Sequence, residues 1–199
     1  MRPRVYLAGP DVFLPDPARR AAALKAACAE AGLEGVSPLD ALADEPADWA
    51  ALPEWRRLHL RNEAHIRGCD ALIANLTPFR SPSADAGTVY ELGFMRALGR
   101  PVFGFTTSDA PFTRRTLAML GTAARREPDG SWTDGDGLLV ESFGLTDNLM
   151  IDGGIAAAGG TLVVGSVPAA ARWTNMAVFR QCVGHAARVL AAGQELARK

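Results

Sequence analysis

Little in this sequence supports metal, redox or disulfide chemistry. It has only three cysteines and three histidines in 199 residues. Cys28, Cys69 and Cys182 are odd in number, far apart and without Cys-x-x-Cys spacing, so they form no metal signature or disulfide framework and read as reduced core residues. His59, His65 and His185 are too scattered for a metal site or a Ser-His-Asp arrangement. An excess of either charge is missing too. Lys and Arg total 21 against 22 for Asp and Glu, which gives no electrostatic reason to expect nucleic acid or an anionic membrane as partner. A small neutral or weakly charged ligand fits better. No segment reaches the roughly 18 apolar residues of a membrane span. The basic start runs directly into a short strand without the apolar stretch of a signal peptide, and cytoplasmic residence is the expectation. Internal repeats and low-complexity tracts are also lacking.

What the chain does have is apolar content, 48%, in a length that suits one domain spanning 1–199. Arg4 to Ala8 reads as a first strand ending at Gly9-Pro10, and 17–32 as an Ala-rich helix that Asp16 and Pro17 start. Residues 33–53, broken by Gly35, Pro38, Pro46 and Pro53, read as an ordered loop or lid. An amphipathic helix is expected over 54–68, a second strand over 70–76, a helix from Asp85 to Gly99 and a third strand over 101–105. Further on, the pattern predicts a helix around 112–124, a polar hairpin-like piece over 127–137, a short strand at Leu138 to Glu141, a helix over 149–158, a GGTLVVG piece, and a closing helix over about 168–198. Strand and helix in alternation argue for an α/β fold with a mostly parallel sheet covered on both faces.

In such sheets ligands bind beyond the carboxyl ends of the strands, so chemistry should gather in the loops after Ala8, Leu76 and Phe105. Two of these loops supply Tyr6, Asp11, Asp85 and Glu91. If Asp85 caps its helix, Gly87 and Glu91 lie four apart on one face, and the Glu91 side chain leans back over Gly87. A glycine inside a helix costs roughly 1 kcal/mol relative to alanine, and space for a ligand to approach the carboxylate is the simplest return. Two carboxylates converging on one pocket suit glycosidic chemistry, one attacking an anomeric carbon and another group handling hydroxyls or protons. The same spacing also fits a plain cap and a surface glutamate, and Tyr6 on a strand also fits a core residue; spacing alone leaves these readings open.

Four stretches in order, YLAGPDVF at 6–13, CDALIANLTPFR at 69–80, DAGTVYELGFMRALGRPVFGF at 85–105 and SFGLTDNLM at 142–150, resemble the nucleoside 2-deoxyribosyltransferase family over about 1–155. The resemblance implies a flavodoxin-like open sheet and transfer of 2-deoxyribose between nucleobases through a covalent deoxyribosyl-enzyme intermediate, with no metal or organic cofactor. It implies Glu91 as nucleophile, Tyr6 as the residue that orients it, and Asp85 as a ligand of sugar hydroxyls. Gly9, Asp11, Phe13 and Gly87 fall in the substrate-binding loops. Asn148 matches an asparagine that a neighbouring subunit inserts, which implies a homodimer as active unit. Asn62 stands where some members carry an aspartate that meets the base; an amide is no acid, so Asn62 would hydrogen-bond the base edge, or base protonation would fall to Asp11 or solvent. Deoxyribonucleosides and free nucleobases are the implied substrates.

Two other readings compete. A deoxynucleoside 5′-monophosphate N-glycosidase would need a donor-rich phosphate loop after the first strand, where this chain has Pro10, Asp11 and Pro15. Arg19, Arg20 and Arg80 are the residues that could supply the missing charge. A non-catalytic nucleoside-binding sensor would have no use for both Asp85 and Glu91.

Overall fold

Alternation along each central strand sets the architecture. The computed structural model describes residues 2–197. In β1 (Arg4–Ala8), Val5 and Leu7 point to one face and Tyr6 and Ala8 to the other; the same split divides Ala71 and Ile73 from Leu72 and Ala74 in β3 (Ala71–Asn75). β2 (Glu34–Val36) and β4 (Val102–Thr106) flank this pair, and β7 (Leu162–Val164) forms the far edge. The order is β2-β1-β3-β4-β7, every pairing is parallel, and Tyr6 stands opposite Leu72. A separate antiparallel ribbon joins β5 (Arg125–Arg126) to β6 (Trp132–Thr133).

Helices cover both faces, as an all-parallel sheet requires. One face packs against α1 (Pro17–Glu30) and the last helix, α6 (Ala177–Ala197), through Leu24, Cys28, Phe179, Cys182 and Val183. The other carries α2 (Glu54–Arg67), α3 (Ala86–Ala97) and α5 (Leu149–Ala157), through Ile66, Leu92, Met95, Ile151 and Ile155. The remaining helix, α4 (Phe112–Leu120), has no buried residue. All three cysteines are buried free thiols, and burial pushes Cys28 and Cys69 up to about 12. No helix is long and apolar enough to cross a membrane among the described residues.

Three expectations need correction. The 33–53 loop contains a strand, β2, in which Gly35 lets the backbone lie close to Leu7 and Cys28. Leu138 to Glu141 form no strand: only Leu139 makes a single bridge, to Thr133, and Leu138 and Leu139 are 66% and 76% exposed, with no core to face. The closing helix begins at Ala177, after a short 3-10 turn at Ala169–Ala171, because the Asn175 side chain accepts the backbone N–H groups of Ala177 and Val178 and starts the helix there. Arg198 lies outside the described residues.

Candidate active site

The chain runs from β1 outward to β2 and returns to the opposite side of β1 as β3, which opens a crevice between the carboxyl ends of β1 and β3. The loops that enter it are residues 9–13 and 77–85. Since Tyr6 faces the α3 side of the sheet, its hydroxyl meets Glu91 from below and donates to Oε1 at 2.7 Å. Asn62 of α2 reaches the same oxygen at 3.4 Å. Oε2 accepts no hydrogen bond among the described residues, so one carboxylate oxygen is anchored and the other is available.

Burial pushes the Glu91 carboxyl up to about 7; the Tyr6 hydrogen bond pulls it down, and the nearby Asp85 charge adds to the rise. Tyr6 itself is driven far above its ordinary range, first by burial and then by the Glu91 charge. The tyrosine therefore stays a donor.

Asp85 is indeed the N-cap of α3: its Oδ2 accepts from Thr88 N at 3.0 Å and Thr88 Oγ1 at 3.1 Å. Its other oxygen carries no such bond among the described residues. A side chain added at Gly87 would meet only Asp85 Oδ2, at 3.1 Å, so the space above the first turn is open. The cap and the ligand-facing carboxylate are thus compatible roles for one residue, and Glu91 is no plain surface glutamate.

The remaining predicted residues are placed differently. Asp11 is locked: Arg20 donates to Oδ1 and Asn75 to Oδ2, each at 2.8 Å, which leaves it poorly placed to protonate a base. Gly9 matters for packing, since a Cβ there would come within 2.7 Å of Asp11 Oδ2 and 2.8 Å of Asn75 Cβ. Phe13 stacks on Phe79 at 5.4 Å, and Phe79 meets Trp173 edge-on; the Arg80 guanidinium lies over both phenyl rings. Asn62 lies beside the nucleophile candidate, its amide reaching Glu91 Oε1 at 3.4 Å. Asn148 is not brought to Glu91 within the chain. It donates to Glu141 at 2.7 Å, caps α5 through Met150 N at 3.0 Å, and lines an apolar groove of about 790 Å³ between α3 and α5.

Sequence reasoning missed Asn75, whose signal was available: an amide within an apolar strand run, 2% exposed, that also accepts Thr77 N at 3.1 Å. It also missed Arg115 and Asp147, an ion pair at 3.5 Å whose carboxylate is fully buried and whose two members only tertiary packing brings together.

The sequence model described as nucleoside 2-deoxyribosyltransferase matches residues 5–150. The chain is 35% identical over 173 residues to the uncharacterized protein C191.05c of Schizosaccharomyces pombe, with 81% of each covered. It resembles the 2-desoxiribosyltransferase from Leishmania mexicana at a TM-score of 0.55 and 32% identity, over 75% of this chain and 85% of that one. A conserved protein from Enterococcus faecalis V583 shares the fold at a TM-score of 0.53 and 19% identity, over 92% of this chain and 98% of that one. With the matched span covering β1 through the start of α5, and with Tyr6, Asp85 and Glu91 gathered at one crevice, the chain belongs to the nucleoside 2-deoxyribosyltransferase family.

Proposed function

We propose that this protein transfers 2-deoxyribose between nucleobases, with Glu91 as the nucleophile. The observation that carries the reading is the half-anchored carboxylate: Tyr6 holds Oε1 at 2.7 Å while Oε2 is unengaged among the described residues. Oε2 attacks C1′ as the C1′–N bond breaks, the departing base takes a proton from solvent, and a deoxyribosyl-Glu91 ester forms with inversion. A second base attacks C1′ from the face the first one left, its ring N–H proton passes to solvent, the ester C1′–O bond breaks to return the Glu91 carboxylate, and the configuration is retained overall. Water in place of that base gives slow hydrolysis. Asp85 holds a sugar hydroxyl, and Tyr6 keeps the nucleophile aimed.

A homodimer completes the site in this reading. Leu149 and Met150, 41% and 73% exposed, flank Asn148 on the α3–α5 groove, and a second copy seated there buries apolar surface that one chain leaves open.

The test is chromatographic. With deoxyinosine plus adenine, and separately thymidine plus adenine, the protein is expected to form deoxyadenosine in at least one mixture. Free base without deoxyadenosine in either would replace the transferase with a hydrolase. Glu91→Ala is expected to reduce transfer by at least about 10³-fold with the fold retained; near-normal turnover would remove Glu91 from the chemistry.

A further inference from the structure

The loop that delivers Asp85, residues 77–84, has no regular secondary structure, yet its last three residues are tightly held. Arg115 Nε donates to Pro82 O at 2.7 Å, the Ser83 hydroxyl donates to Asp147 Oδ1, and Ala84 N donates to Asp147 Oδ2 at 3.0 Å. Asp147 is fully buried, and Arg115 completes the pair at 3.5 Å. The guanidinium also donates to Thr146 O at 2.7 Å and to Ala110 O. Beneath it, Asp152 accepts the backbone N–H groups of Thr146 and Asp147 at 3.1 and 2.9 Å, so the carboxylate of Asp147 is itself fixed in direction.

An ion pair with one fully buried member is a poor way to gain stability, because desolvation consumes most of the attraction, while an apolar pair of similar volume packs as well. What a charged fork does provide is one backbone arrangement, through several directed bonds at once. Here those bonds end one residue short of Asp85. The cap carboxylate leaves one oxygen without an intramolecular partner among the described residues, and its position depends on where Pro82 to Ala84 put the start of α3.

We propose that the Arg115–Asp147 pair is the positioning element for Asp85, holding its free oxygen where a sugar hydroxyl of the substrate must lie. This rests on the reading of Asp85 as the sugar-side carboxylate. Neither Arg115 nor Asp147 touches the substrate; toward Asp85 both act through Pro82, Ser83 and Ala84, while Asp147 also accepts the backbone N–H of Asn148 at 2.8 Å. Displacement of a positioned group by about 1 Å is enough to cost up to 10²-fold in function.

The experiment is a double-substitution cycle read by binding. In a Glu91→Ala chain, expected to hold substrate without turning it over, deoxyinosine affinity is measured calorimetrically for Asp147→Asn, for Asp85→Asn and for both together. Asp147→Asn is expected to weaken binding about tenfold when Asp85 is present, and less than about twofold when Asp85 is already Asn. Equal losses in both backgrounds would overturn the inference, since general loosening of the fold does not depend on Asp85. If Asp147→Asn gives no cooperative thermal transition, Arg115→Lys replaces it in the same cycle, keeping a charge beside Asp147 while losing the fork that holds Pro82 and Thr146; the same two outcomes apply. A parent protein that transfers deoxyribose but shows an additive cycle sinks this inference alone, whereas one that neither turns over nor binds deoxynucleosides sinks the functional reading and this inference with it.

Discussion

At the residue scale, the surroundings of Glu91 oppose its charge, and that has consequences for both rate and stability. In the proposed reaction the carboxylate form is the nucleophile, and with the Glu91 carboxyl pushed up to about 7 the transfer rate is expected to rise with pH and reach half its plateau near that value. Tyr6→Phe removes the bond that favours the ionised form, so the midpoint of the pH–rate profile should move upward and the plateau should fall; an unchanged midpoint would show that Tyr6 does not tune the carboxylate. Stability runs the other way. The folded state binds the Glu91 proton more tightly than the unfolded chain does, so its contribution to stability is fully present below the ordinary value of 4.5 and is lost as pH rises through about 7. Glu91→Gln, which buries no charge, should therefore melt a few degrees higher than the parent at pH 8, about 2–4 °C, and lose that advantage below pH 5. Calorimetric scans at the two pH values decide it.

At the element scale, the turn that leads from α5 to the sheet edge has little tolerance. Gly159 adopts φ +70° and ends α5, and Gly160 N bonds Ile155 O at 3.1 Å, the pattern of a glycine-terminated helix. A Cβ on Gly160 would lie 1.7 Å from Val102 O at the head of β4, a backbone atom that cannot step aside. Gly160→Ala is expected to destabilise the protein by at least about 2 kcal/mol, measured by urea unfolding. The central strands and the helices around the site were legible in the sequence because each has a strong signal: Val5 to Ala8 and Ala71 to Ala74 are continuous apolar runs, and Asp85 caps a periodic segment. β2 was not, since three residues with one glycine carry no period. The site divides in the same way. Tyr6, Asp85 and Glu91 are each set by a single element, so spacing could bring them to one crevice, while their separate roles rested on the family resemblance. Asp11 and Asn62 could not, because what they bond depends on Arg20, Asn75 and Glu91, residues that only tertiary packing brings near.

At the scale of the whole molecule, the two faces of the sheet have different tasks. The α2–α3–α5 face carries Glu91, Asp85 and the open groove, so a charge there tests the proposed dimer directly. Met150→Asp is expected to shift the protein to monomer in sedimentation and to lower transfer by at least about tenfold, with the melting temperature of the isolated chain little changed at a position 73% exposed. A fully active monomer would show that one chain suffices. The opposite face carries no predicted chemistry, but it depends on the last part of the chain: Val178, Phe179, Cys182, Val183 and Ala186 of α6 cover Val5, Ile73, Phe103 and Phe105. During synthesis, then, every strand and the whole crevice leave the ribosome before the helix that shields one side of the sheet. Until residues 178–186 emerge, the part of that side which α1 does not cover is an open apolar surface, and the nascent protein is expected to be most prone to aggregation in this interval.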